Sequence, residues 1–339
     1  RFVDPARFFW TQHQPTLLYV NKKLSDVIEE NTVQEYVKLS LQHPSLNQSQ
    51  DVICVNLGGS EVTFWDYVQW RTWALNAVFY YDYGTTKYTL SKDKDRLGTP
   101  EDFQSYDVAT ATIELSQPTL ASVRIKNSYS EASKVVTVEN DNKPKEIYTD
   151  RLVRTPIASD LDDLKKAETP RLETPKPRYR LTHARFPLFK LHPGMGMKFN
   201  KKHWSKGRYQ VDETYRCIYV RFESEVIPDD EISTDEKLAG SGYAYTLESL
   251  WEDTDDDFIG RPSYKVPSYP LQAEAKMVTE SGEDGQRVYQ FAVDKTTKLQ
   301  TYKVDVPLWS SKGAADGSPS SECFINVPFL PVYVPGFVY

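Results

Sequence analysis

The sequence predicts an all-β protein, and three observations carry that expectation. Twenty-two Tyr, 15 Phe and 7 Trp stand beside 21 Pro and only 3 Met in 339 residues. Aromatic residues are enriched in strands, and prolines belong to the loops that join them. Mean hydropathy is low, at −0.58, so apolar residues come in short runs between long polar stretches. Period-2 alternation is clearest over 215–223 (YRCIYVRFE), where Ile218, Val220 and Phe222 alternate with Tyr219 and Arg221, as in a strand with one buried face.

The elements follow in order. Residues 24–31 (LSDVIEEN) form a short polar stretch, a helical turn or a loop. In 33–41 (VQEYVKLSL), Val37, Leu39 and Leu41 alternate with Lys38 and Ser40, and 52–57 (VICVNL) is a compact apolar run; both read as strands. Residues 61–84 hold Phe64 and Val68 at helical spacing and then an aromatic run over 77–83, predicting a short helix followed by a strand. Thr99 and Pro100 are a helix-start signal, so a brief helix is expected to end near Asp107. Residues 109–115 and 120–126 read as two strands around Pro118, with a shorter one over 135–138. From 140 to 177 the chain is polar, with prolines at 144, 156, 170, 175 and 177, and an extended surface loop with one helical turn at 160–166 is expected. Strands resume at 179–191 and 215–223, and 288–293 with 300–306 reads as a hairpin. No repeat of solenoid or propeller period is visible.

Composition excludes several classes. With 39% hydrophobic and 26% charged residues the chain is globular and not disordered, and its length suits one large or two ordinary domains. Cys54, Cys217 and Cys323 are odd in number and far apart, which rules out a disulfide scaffold and supplies no zinc spacing. No apolar run approaches the roughly 20 residues of a membrane helix, no signal-peptide pattern opens the chain, and no membrane partner is expected. The first residue is Arg1, so an upstream piece is expected.

The net charge of −7 conceals a segregation. Between Glu173 and Asp212 there is no acid, and the bases are Lys176, Arg178, Arg180, Arg185, Lys190, Lys198, Lys201, Lys202, Lys206 and Arg208, interleaved with aromatics that include Trp204. Cations that neutralise phosphates beside rings that stack on bases suit a nucleic-acid surface. The competing reading is a patch that docks on the acidic stretch 223–257, within the chain or on a neighbour; that stretch holds 13 acids and a single base, Lys237. Within it Asp253, Asp255 and Asp257 offer oxygen ligands for calcium, but the EF-hand pattern is missing and such runs are mostly solvated. No other cofactor is expected. The five histidines, at 13, 43, 183, 192 and 203, form no HExxH or compact metal spacing. There is no GxSxG elbow, P-loop or GxGxxG fingerprint, and no enzyme is expected.

Three segments resemble single-jelly-roll capsid proteins of small icosahedral viruses, above all those of circular single-stranded DNA viruses, with densovirus-like and nodavirus-like capsids open as nearer relatives. They are 61–83, a strand, short helix and strand ending in Tyr80-Tyr81-Asp82-Tyr83; 98–126, a Thr-Pro start followed by paired strands; and 176–225, a basic Pro-Arg-Tyr-Arg strand, a loop centred on Trp204 and a closing strand. The resemblance covers roughly 31–226. It implies an eight-stranded antiparallel jelly roll over 31–226, an N-terminal arm over 1–30 and a C-terminal extension over 227–339. It further implies a coat protein that assembles with many copies of itself into an icosahedral shell, encloses a nucleic-acid genome and resides in the virion. The basic residues would then line the interior or a subunit junction. The apolar tail 324–339, with Phe324, Phe329, Tyr333 and Phe337, would cover a neighbouring subunit, because alone it would be an exposed patch. The family's Arg-rich N-terminal arm is missing here, and 227–339 is longer than its smallest members carry. The alternative is a β-sandwich carbohydrate-binding module with Trp65, Trp70 and Trp73 as a stacking platform, although tryptophans at that density more often pack inward.

Overall fold

A computed structural model describes residues 4–56, 61–82, 84–92, 94, 99–129, 133–140, 146–155, 157–187, 189–205, 213–227, 242–267, 275–278, 292–295, 297–306 and 324–328. The chain is mostly β, as its composition implies, but its strands fall into five sheets.

The first region is built from α1 (Pro5–Gln12), β1 (Leu17–Lys23), α2 (Leu24–Glu30), β2 (Leu39–Leu41), β3 (Ser49–Val55), α3 (Phe64–Ala74), β4 (Val78–Asp82) and β5 (Lys87–Ser91). The expected helix-then-strand over 61–84 is present. Thr63 and Asp66 close a reciprocal capping box at the start of α3, which satisfies amides that the first turn leaves open. Trp10, Phe64, Tyr67, Val68 and Leu90 fill one core with Leu24 and Ile28. Residues 5–30 are thus part of this core and not a separate arm. Val33–Leu41 is a strand only over its last three residues; at 33–37 the chain turns, with the amides of Tyr36 and Val37 both donating to the Val33 carbonyl.

The second region is a six-stranded sheet in the order β6-β12-β13-β14-β11-β7, where β6 is Glu101–Phe103, β7 Val108–Glu114, β11 Arg178–His183, β12 Gly196–Phe199, β13 Thr214–Ile227 and β14 Gly242–Asp253. Where a helix was expected after Thr99, β6 runs parallel to β12 with Phe103 fully buried. A residue before proline is pushed to extended backbone, so the Thr-Pro pair opens a strand equally well. The expected boundary at 226/227 falls inside β13, whose partner β14 carries most of the sheet's contact with it from Gly242 to Asp253.

Between these lies a small sheet, β10-β8-β9, of β8 (Ser122–Asn127), β9 (Lys134–Val138) and β10 (Tyr148–Val153), covered by α4 (Ala158–Glu168). Leu161 of α4 buries against Val123, Ile125, Val136 and Val138. The segment 140–177 is therefore not one surface loop. The strands expected at 109–115 and 120–126 exist, but they join different sheets. The last strands, β15 (Lys276–Met277), β16 (Ala292–Val293), β17 (Gln300–Asp305) and β18 (Phe324–Pro328), form the fifth sheet, with Val304 and Val306 packed on Leu18 of β1.

The eight-stranded jelly roll is not what forms among the described residues. A jelly roll is two facing antiparallel sheets. Here β2 runs parallel to β5, β6 to β12 and β8 to β10.

Candidate functional site

Strand β13 decides where the chemistry lies. Its alternation predicts Ile218, Val220 and Phe222 on the buried face; Val220 does pack on the second core, and the register slips between Cys217 and Tyr219, so that Tyr215 and Cys217 also face inward. A bulge of this kind turns one side of the strand over relative to the other. Tyr215 and Cys217 enter the core before it, and Phe222 stands 53% exposed after it. Arg216, between two core residues, faces the other way and is nevertheless 3% exposed, because residues 258–262 and the first region cover that face.

Arg216 reaches Glu252 on β14, with Nε and Nη2 donating to Oε1 at 3.0 and 2.8 Å. Lys94 Nζ donates to the same oxygen at 3.1 Å and to the Asp256 carbonyl at 2.8 Å. Arg178 Nη2 lies 3.7 Å from Glu252 Oε2. Burial pulls the Lys94 ammonium below its usual range, opposed by Glu252 and reinforced by Arg216. Alongside, Lys176 Nζ donates to Asp253 Oδ2 at 3.1 Å, and its main-chain amide donates to Asp256 Oδ2 at 3.1 Å. Basic and acidic segments thus meet within one chain, across β11, β13 and β14.

This seam edges a cavity of about 350 Å³. One wall is Gln69 and Thr72 of α3 with Val78 and Phe79 of β4; the other is the β12–β13 end of the sheet, and Phe258, Ile259 and Pro262 close it. Gly194 lines it in the turn before β12, at φ +88°, a backbone conformation that favours glycine.

The expected basic site is divided by this arrangement. Arg180 Nε donates to Glu114 at 2.5 Å, Arg185 Nε to Asp107 at 2.6 Å, and Arg178 faces the seam. Lys190, Lys198, Lys201 and Lys202 are exposed. Trp204 is buried, its Nε1 donating to the Phe103 carbonyl at 3.0 Å, so its ring is core and offers no face to a base. Arg208 and the tail residues Phe329, Tyr333 and Phe337 lie outside the described residues. Phe324 opens β18, which pairs with β17 of its own chain. The calcium candidates do not converge: Asp253 Oδ1 accepts the Asp255 amide at 2.8 Å, Asp255 and Asp257 are exposed, and among the described residues no three His, Cys, Asp or Glu are placed to hold a metal. Trp65 and Trp70 pack on the first core and Trp73 lies under Arg171, whose Cζ is 4.1 Å from the ring centroid; no sugar-stacking platform results.

Sequence reasoning missed Lys94, Arg216 and Glu252. Their one signal was Arg216 standing between core residues of a strand. It also missed a buried polar chain beneath the sheet: Trp251 Nε1 donates to Ser249 Oγ at 2.7 Å, and that hydroxyl lies 2.7 Å from His183 Nε2. Burial pushes the His183 imidazole down to about 4, against the pull of Asp107, so the ring is neutral at pH 7. Ser249 is fully buried and its oxygen is already engaged. Among the described residues no helix is long and apolar enough to cross a membrane.

No family model matches the sequence, and no curated protein matches it. Solved structures do. A chain of the PdpA–VgrG complex in its lidless form superposes with TM-score 0.61 at 12% identity, covering 98% of this chain and 63% of that one. The lidded Francisella complex gives 0.60 at 13% identity over 96% of this chain and 50% of that one. The tail protein from Neisseria meningitidis MC58 gives 0.48 at 10% identity, covering 74% and 73%. The chain spans about half to two thirds of the length of the PdpA–VgrG chains it matches. A shared fold over nearly the whole chain, with parallel strand pairs, overturns the capsid resemblance. The icosahedral shell, the many-copy self-assembly around a genome and the placement in a single-stranded DNA virus capsid all fall with it, since they rested on that resemblance. The carbohydrate-module alternative is likewise unsupported.

Proposed function

We propose that this chain is a non-catalytic structural subunit of a tail- or baseplate-type assembly, virion-borne or secretion-type, in which it joins other proteins as its fold counterpart does in the PdpA–VgrG complex. The observation that carries the reading is the likeness to that complex over 98% of the chain. The surface supports it. Phe186 stacks on Tyr245 with ring centroids 4.6 Å apart, and Phe222 joins them at 5.6 Å from Phe186. Phe186, Tyr245 and Phe222 are 54%, 38% and 53% exposed, the first in the segment after β11 and the other two on the part of the β13–β14 ribbon that runs beyond its neighbours, and exposed aromatic patches of this kind mark protein contacts.

The test is co-expression with the proteins encoded beside its gene, purification through a tag on this chain, and electron microscopy. Defined, rotationally symmetric complexes that contain the chain and fail to form without it are expected. A chain that purifies alone as a monomer, or that closes into shells, would overturn the proposal.

A further inference from the structure

The cavity beside the seam holds more positive charge than its lining neutralises. Lys94, Arg178 and Arg216 converge on Glu252, the one carboxylate among the described residues that line it. Oxygen Oε1 of Glu252 is taken by Lys94 and Arg216. Arg178 is left 3.7 Å from Oε2, and its Nε is buried with no hydrogen-bond partner. The nearest other acids are occupied: Asp253 by Lys176 and the Asp255 amide, Asp256 by the amides of Lys176 and Phe258. A buried donor without a partner is destabilising. Nε is sealed from the cavity, but Arg178 lines it with its side chain 22% exposed, and that exposed part of the side chain is what an acceptor from outside meets.

The remaining wall is mostly apolar, with Phe79, Tyr80 and Phe258 its aromatic groups and Gln69 and Thr72 its polar ones. The volume, about 350 Å³, falls at the lower end of small-ligand pockets, which combine an apolar lining with a few convergent polar groups. We infer that the cavity is a binding site for a carboxylate carried on an apolar frame, held by the Arg178 fork with Lys94 as second charge and with the frame between Phe79 and Phe258. A planar fork of N–H donors matches the two oxygens of a carboxylate. The carboxylate comes either from a free organic acid or from an Asp or Glu side chain, next to an apolar residue, on a partner chain.

Calorimetric titration of the full chain at low salt separates these sources. The probes are phenylacetate, the blocked dipeptide N-acetyl-Phe-Asp-amide, uncharged phenylacetamide and inorganic phosphate. Saturable binding of a carboxylate probe is expected, at least tenfold weaker in R178Q and weakened also in K94M, with circular dichroism confirming that both variants fold. Phenylacetate binding identifies a free acid as sufficient, whereas binding of the dipeptide alone identifies a partner's side chain. The inference is overturned if neither carboxylate binds, if phenylacetamide binds equally well, if phosphate alone binds, or if both variants bind as the wild type does. Such a failure leaves the assembly proposal standing, because that is read from particles and not from the cavity.

Discussion

Two regions face each other across the cavity and are stabilised by opposite means. On one side Trp10, Phe64 and Phe79 lie with ring centroids 5.6 Å apart in two tilted or edge-on pairs, a contact that needs only volume and shape. On the other side Arg216 and Glu252, each with its side chain 4% exposed, hold an ion pair in the protein interior. The aromatic core depends on apolar volume and shape, whereas the seam loses stability when its shared carboxylate is taken from the charges around it. Burial is equally deep in both, yet the cost of a change has a different origin in each.

That difference is open to a direct test. Glu252→Ala leaves Arg216 and Lys94 buried without a carboxylate and is expected to cost about 3–5 kcal/mol in urea unfolding. Trp10→Ala is expected to cost a similar amount, about 3–5 kcal/mol, through the cavity it opens. The rescue separates them. The triple replacement K94M/R216M/E252L removes the three hydrogen-bonded charges together, leaving only the partly exposed Arg178, and is expected to recover much of the seam's loss, because apolar groups of similar volume replace a buried ion cluster at little cost. Further single substitutions of Trp10's neighbours recover nothing. If the triple variant is no more stable than Glu252→Ala, the seam is held by shape and the contrast fails.

His183 gives a smaller effect, and one that depends on pH. It is a base whose folded value is depressed, to about 4, from about 6.5 in the unfolded chain. Between those values the unfolded state binds more protons, so stability rises with pH. The contribution is fully present above about pH 6.5 and is lost as pH falls toward 4, by up to about 3 kcal/mol. Urea midpoints at pH 7.5 and 4.5 measure it. His183→Gln should flatten the difference between them; an unchanged difference would place the acid sensitivity elsewhere.

The same contrast explains what the sequence makes legible. The helix α3 is visible because Phe64 and Val68 sit four residues apart, and β9 because its valines are contiguous in the chain; both depend on neighbours only a few residues away. The seam gathers positions 94, 178, 216 and 252, which no spacing rule connects. The β13 bulge passes the inward position from Tyr215 and Cys217 to Val220, which packs on the second core as the alternation predicts, while Phe222 stands exposed because the β13–β14 ribbon there outruns its neighbouring strands. Charge segregation was a correct observation whose partner was open: the acidic stretch that meets Lys176, Arg178 and Arg180 is in the same chain. The parallel pairing of β6 with β12 and of β8 with β10 leaves no local trace either, and it is pairing, not strand content, that separates this fold from a jelly roll.

The smallest predicted effect sharpens the comparison most, because it keeps the chemistry and changes only the burial. Arg180 and Glu114 pair at 2.5 Å on β11 and β7, with side chains 36% and 38% exposed. Water screens them, and the carboxylate raises the Arg180 guanidinium without any burial to amplify the attraction. Glu114→Gln is therefore expected to cost at most about 1 kcal/mol, and less at high salt. Glu252→Gln, by contrast, should remain costly in both low and high salt, since counterions do not reach the seam. Unfolding at two ionic strengths for both variants measures this, and equal losses for the two glutamates would mean that burial does not set the strength of these pairs.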